Sequence, residues 1–110
     1  MIITDHHLPR EILPDAFAII NPTQTQCNYT PIKNLCGVGV SFKLCQGLYQ
    51  CLNKDIHELE NYLDIVALGT IADIVPLVDE NRRIVKKGLA NIQNLGIKTL
   101  IESAITMKII

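Results

Sequence analysis

Apolar residues come in short blocks along this chain, separated by polar or proline-bearing stretches. The first block, Met1-Ile-Ile3, runs straight into Thr4-Asp-His-His7, the pattern of a short buried strand of about Ile2 to Thr4 ending in a polar loop. Leu8-Pro-Arg-Glu-Ile-Leu-Pro14 carries two prolines and reads as an extended connector. Ala16 to Ile20 is a second compact apolar block, stopped by Asn21-Pro22, and predicts a second buried strand before a polar loop from Thr23 to Thr30. From Gly37 onward the spacing turns helical, with Phe42, Cys45, Leu48, Tyr49 and Leu52 on one stripe. A second helix is predicted over about Ile56 to Ile71, with Leu59, Tyr62, Leu63, Val66 and Ala67 inward, and Pro76 ends the turn that follows Asp73. A third opens at Asp79 as N-cap and runs to about Asn94 with Val85, Leu89 and Ile92 inward, and a short last helix covers Ile97 to Ile105.

Two strands followed by helices define an α/β class, and two strands alone do not make a stable sheet. The expected neighbours of these strands lie outside this chain. The 110 residues are 48% apolar, enough for a core, with few aromatics and no tryptophan. A net charge of −1 gives no bulk signal for a nucleic-acid partner. No apolar run approaches the roughly 18 residues that span a bilayer. No membrane partner and no secretory leader are expected, and the cytoplasm is the default location.

Four cysteines (Cys27, Cys36, Cys45 and Cys51) contain no Cys-x-x-Cys pair and read as ordinary buried thiols. Asp5, His6 and His7 bring a carboxylate and two imidazoles to a strand end, where ligands gather in open α/β sheets. Side chains of consecutive extended residues point to opposite sides. One histidine would then serve as a metal ligand while the other faces substrate, with two loop histidines satisfied by the backbone as the plainer alternative. Asp73 ends an apolar helix, where the dipole disfavours a carboxylate. Either a bound cation offsets that or the group is simply solvated. One imidazole and one carboxylate suit Mn²⁺ or a similar cation, but a tight site needs further carboxylates. Gly37-Val-Gly39 opens a helix and either brings bare N–H groups to a phosphate or lets the helix pack closely. Arg82, Arg83, Lys86 and Lys87 form a basic helix face that is usually just solvated. Arg82 differs in sitting at the edge of the expected buried stripe, within reach of Asp79. His57 reads as a surface histidine.

Taken together, these segments are more specific than any one of them. Ile3-Thr-Asp-His-His-Leu-Pro9 resembles the signature of the DHH phosphoesterase superfamily. The stretches Ala18 to Pro22, Leu35 to Leu44, Asp64 to Leu77, Glu80-Asn-Arg82, Gly88-Leu89 and Leu100-Ile-Glu102 are similar, in order and spacing, to its single-stranded-DNA-specific 5′→3′ exonuclease branch. The resemblance implies a two-metal phosphodiesterase using Mn²⁺ or Mg²⁺ and acting on single-stranded DNA in repair and recombination. It implies His6 and Asp73 as metal ligands, His7 at the scissile phosphate or leaving group and Asp5 as ligand or support. Gly37, Gly39 and Arg82 would lie along the substrate. It also implies a parallel-sheet, three-layer sandwich of which this chain is the C-terminal part. Residues 1–95 would be the second half of the catalytic domain, and residues 96–110 a terminal helix leading toward a downstream domain. The remaining metal-binding aspartates are expected on upstream strands, so the chain alone is expected to be inactive, with a sheet edge left open. Two other readings stand beside this one: a phosphodiesterase of short oligonucleotides or cyclic dinucleotides, and a non-catalytic scaffold module.

Overall fold

A computed structural model describes residues 1–107. Two short strands, β1 (Ile2–Thr4) and β2 (Ala18–Ile20), pair in parallel with Ile2 opposite Ala18, Ile3 opposite Ile19 and Thr4 opposite Ile20. Parallel neighbours need a crossover connection, and the proline-rich connector supplies it without a helix. The ladder continues one bond further, with Asp5 N–H donating to Ile20 O at 3.0 Å, which fixes the backbone where the polar loop begins. Neither strand is fully buried, contrary to the expectation from their composition. A two-stranded sheet has no inner strand, and Ile2 stays 60% exposed.

Among the described residues, four α-helices follow: α1 (Gly37–Cys51), α2 (Leu63–Ala72), α3 (Asp79–Ala90) and α4 (Leu95–Thr106). The predicted long second helix is in fact a 3₁₀ segment, Ile56–Tyr62, leading into α2. The core gathers Leu35, Val40, Phe42, Leu59, Leu63, Val66 and Ile84, with Ile20 and Val38 packed against it from the sheet side and from the start of α1. The predicted inward stripes shift accordingly. On α1, Gly39, Val40 and Phe42 are buried, whereas Cys45, Leu48 and Leu52 are exposed. Tyr62 also faces outward.

On α3 the buried residues are Asn81, Ile84 and Gly88 rather than Val85, Leu89 and Ile92. The reason lies in the close approach of α2 and α3. A Cβ on Gly88 would overlap the backbone oxygen of Leu63 and stand 2.6 Å from the Ala67 Cβ, so only glycine fits between the two helices. Asp79 is the first residue of α3 with a left-handed backbone (φ 45°), which moves the cap position back to Val78. Cys36 is buried and Cys27 partly so, while Cys45 and Cys51 are exposed, and no disulfide links the four thiols. The last predicted helix begins at Leu95, and residues 108–110 lie outside the described part. No helix of the described residues is long and apolar enough to cross a membrane.

Candidate metal and phosphate site

The strand end at Asp5 is shaped by its own carboxylate. Asp5 Oδ1 accepts from the backbone N–H of His6 at 2.7 Å and of His7 at 3.2 Å, and it meets His7 Nδ1 at 2.7 Å. The side-chain bond to His7 and the two N–H donors hold the Asp5 pKa down to about 2. This turn also changes the geometry expected of an extended pair. The chain bends at His7, and the two imidazoles lie together with ring centroids 4.3 Å apart instead of projecting to opposite sides. Donor atoms of Asp5, His6 and His7 all fall within 4.8 Å of one another.

Asn21, buried behind β2, fixes the far side of the bend: its Nδ2 donates to His7 O at 2.8 Å. Thr23 Oγ1 lies 2.8 Å from the same carbonyl and 2.7 Å from Asn21 Oδ1, so its single proton serves one of them at a time. The sequence signal for this brace is the Asn-Pro stop after the second strand, which by pattern alone reads only as punctuation.

Asp73 reaches the same place from the other end of the sequence. It is the C-cap of α2, and its Oδ2 lies 3.8 Å from His6 Nδ1. The opposite flank of the His6 ring faces α1, where a Cβ on Gly37 would stand 3.7 Å from His6 Cδ2 and 4.0 Å from Nε2. The first intrahelical backbone bond of α1 runs from Val40 N–H to Cys36 O, so the N–H groups of Gly37, Val38 and Gly39 precede it at the positive end of the helix. Gly39 itself is buried, and a Cβ there would meet Leu35 Cδ2 at 2.9 Å, which makes close packing one reason for that glycine.

Asp5, His6, His7, Asp73 and Gly37 are thus brought together. Arg82 is exposed on α3 and forms no ion pair among the described residues. The expected Arg82–Asp79 pair is replaced by Arg83 with Glu80 at 2.7 Å. An open cavity of about 600 Å³ adjoins His7 and Asp5, floored by Ile3 and Ile19 and rimmed by the connector at Leu8, Pro9 and Leu13. The compact donor group is Asp5, His6 and His7, with Asp73 meeting it at His6; imidazole and carboxylate donors together suit a divalent cation of intermediate hardness. The protein offers Asp5 Oδ2 as well, since every hydrogen bond to that carboxylate among the described residues falls on Oδ1.

The fold and this cluster are compatible with an α/β phosphoesterase domain, and comparison with known proteins shows the family: the profile described as "DHH family, N-terminal domain" matches residues 1–70, and the chain belongs to that family. Among its relatives, the single-stranded-DNA-specific exonuclease RecJ of Escherichia coli K12 is 45% identical over 94% of this chain and 20% of its own length. RecJ of Bacillus subtilis 168 is 49% identical over 93% of the chain and 12% of its own length. RecJ of Thermus thermophilus is 36% identical over 94% and 15%. The chain therefore spans a fifth or less of these relatives. No solved structure matches it.

Proposed function

We propose that this chain supplies the Asp-His-His half of a metal-dependent phosphodiesterase centre that removes nucleotides from the 5′ end of single-stranded DNA, in the cytoplasm, during repair and recombination. The observation that carries the reading is the meeting of His6 with Asp73 at 3.8 Å, beside an Asp5 carboxylate already held ionised by His7. That RecJ relatives are single-stranded-DNA-specific exonucleases supports the substrate class.

On this reading His6 and Asp73 hold Mn²⁺ or Mg²⁺, whose chemistry is to activate water and to neutralise charge on the phosphate. Asp5 keeps the His6–His7 turn in place and offers its second oxygen to the same site. His7, the more exposed ring of the pair, meets the scissile phosphate or the leaving oxygen. The N–H groups at Gly37 and Gly39 and the Arg82 guanidinium take the substrate's other phosphates. Residues 1–95 act as the second half of the catalytic domain and residues 96–110 lead toward a further domain. On this reading the rest of the ligand set comes from an N-terminal half of the catalytic domain, and residues 1–110 alone are expected to be inactive.

The test is digestion of 5′-phosphorylated single strands with Mn²⁺ after the chain is complemented with the upstream half of a relative. Cleavage that His6→Ala abolishes supports the reading, and undiminished cleavage by that variant overturns the ligand assignment. Cyclic dinucleotides and dinucleotides in the same assay separate the long-strand nuclease from a small-substrate phosphodiesterase. Metal-independent binding with no cleavage would mark a scaffold.

A further inference from the structure

We infer that Asn81 is a positioning residue: its buried amide locks the loop behind Asp73 to the loop ahead of Gly37, so that both stand against His6. The inference rests on the reading of His6 and Asp73 as metal ligands and deepens it.

Asn81 sits in the first turn of α3 and is 1% exposed. Its Nδ2 donates to Asn34 O at 2.7 Å and to Pro76 O at 3.0 Å. Asn34 lies just before Cys36, the cap residue of α1, and Pro76 lies in the loop that leaves α2 after Asp73. One amide thus joins two loops distant in sequence, each of which presents one wall to the His6 ring.

The orientation of the amide follows from its partners. Turned over, Oδ1 would face two carbonyl oxygens, a repulsive arrangement. Held this way, Oδ1 is buried with no partner among the described residues. An apolar residue would avoid that cost, so retaining an amide here needs a reason beyond packing. The reason offered by the geometry is that two carbonyls from separate loops take two donors from one short, buried side chain. Serine has one donor and aspartate none. Among the described residues, Cys36 Sγ and Thr70 Oγ1 add a weak contact at 3.5 Å between the start of α1 and α2, and Lys43 pairs with Glu80 between α1 and α3.

The loop that Asn81 restrains is also strained. Ile74, directly after Asp73, has φ 55°, a left-handed angle that a β-branched residue rarely adopts. The residue is 90% exposed, so no burial of its own offsets the strain. Such a conformation persists only where its surroundings over-determine it. Upstream, Asp73 N–H is held by Gly69 O and Ile74 N–H by Ile71 O. Downstream, Asn81 holds Pro76 O at 3.0 Å. Freed there, the loop can relax at Ile74 and carry Asp73 away from His6.

The experiment compares wild type, Asn81→Ser and Asn81→Ala in the complemented protein, reading amide hydrogen exchange by NMR and Mn²⁺ affinity by electron paramagnetic resonance. Exchange at Asp73 and Ile74 is expected to rise about tenfold or more in Asn81→Ala, with the interior of α1 unchanged. Mn²⁺ binding is expected to weaken about 10- to 100-fold, as is common when a residue supporting a ligand is lost. Asn81→Ser, which keeps one donor, falls between, and carries the test should Asn81→Ala fail to fold. Unchanged exchange at both residues overturns the clamp, as does looser exchange with undiminished Mn²⁺ affinity. Failure of the wild type to bind Mn²⁺ overturns the metal reading instead, and the exchange data still decide the clamp.

Discussion

His6 Nδ1 and Asp73 Oδ2 stand 3.8 Å apart, one carried by the end of β1 and the other by the C-terminus of α2. At that separation they are not directly hydrogen-bonded, yet each is near enough to share a cation. Asp73 also faces the negative end of its own helix dipole, which a positive ion would offset. Replacing either residue by alanine is therefore expected to weaken Mn²⁺ binding in the complemented protein, and to do so about equally. Chelation by EDTA should abolish cleavage, with recovery on adding Mn²⁺. Equal metal affinity of Asp73→Ala and wild type, measured by calorimetric titration, would remove Asp73 from the ligand set.

Asp5 makes the strand-end turn sensitive to acid. Its pKa falls from an ordinary 3.8 to about 2 because His7 and two backbone N–H groups bind the ionised form. A group whose pKa is lower in the folded state stabilises that state above its unfolded pKa, and the contribution disappears as pH falls through the folded value. The turn is thus expected to hold at neutral pH and to loosen between about pH 4 and pH 2. NMR chemical shifts of the His6 and His7 amides, followed through that window, report it directly. In Asp5→Asn the same shifts should lose their acid transition. A transition centred near the ordinary aspartate value in the wild type would show that the His7 contact is not maintained.

Much of this arrangement is legible in the residues, and the departures have physical causes. Both strands, their stops and the start of α1 follow from apolar blocks bounded by polar and proline residues. The Asp-His-His end and Asp73 are identifiable by chemistry, but their meeting depends on how α2 packs, which periodicity does not encode. The stripe on α3 is misassigned when hydrophobicity is the only mark of burial. In α3 an amide and a glycine face inward, one for its donors and one for its lack of a side chain, while Leu89 is left 52% exposed. The two imidazoles are not on opposite sides because the alternation rule assumes extended backbone, and the Asp5 turn breaks it.

Asp64 stands out in the sequence only as part of a longer motif, yet it joins α4 to the rest of the chain. Its buried carboxylate accepts from Gln93 N–H at 2.8 Å and Asn94 N–H at 2.6 Å through Oδ2, and from Ile65 N–H at 2.7 Å through Oδ1. Burial alone would raise its pKa, but the N–H groups of Asn94, Gln93 and Ile65 outweigh it and hold the pKa below the usual range. Asp64→Ala leaves these donors unpaired at the entrance to α4 and is expected to cost about 3 kcal/mol. Urea unfolding measures the loss. Exchange of the Gln93 and Asn94 amides should rise well before the core opens. A loss below about 0.5 kcal/mol would mean that water replaces the carboxylate without penalty.

The tight approach of α2 and α3 supplies a paired test of packing. At Gly88 an added methyl would meet the Leu63 carbonyl and the Ala67 side chain, both parts of the rigid α2 helix. Neither can swing aside as a long side chain would, so Gly88→Ala must force α2 and α3 apart. The expected cost is about 3 kcal/mol, at the upper end for overpacking. Gly47 lies inside α1, where an added methyl would find nothing within 4 Å, and there the backbone preference decides instead. Gly47→Ala is expected to stabilise the protein by about 0.5–1 kcal/mol through the lower entropy of its unfolded chain. Both changes add the same methyl group to a helix, so their difference isolates the helix contact from helix propensity. Urea midpoints that move in opposite directions would support the α2–α3 contact. A Gly88→Ala protein as stable as Gly47→Ala would show that the two helices do not approach this closely.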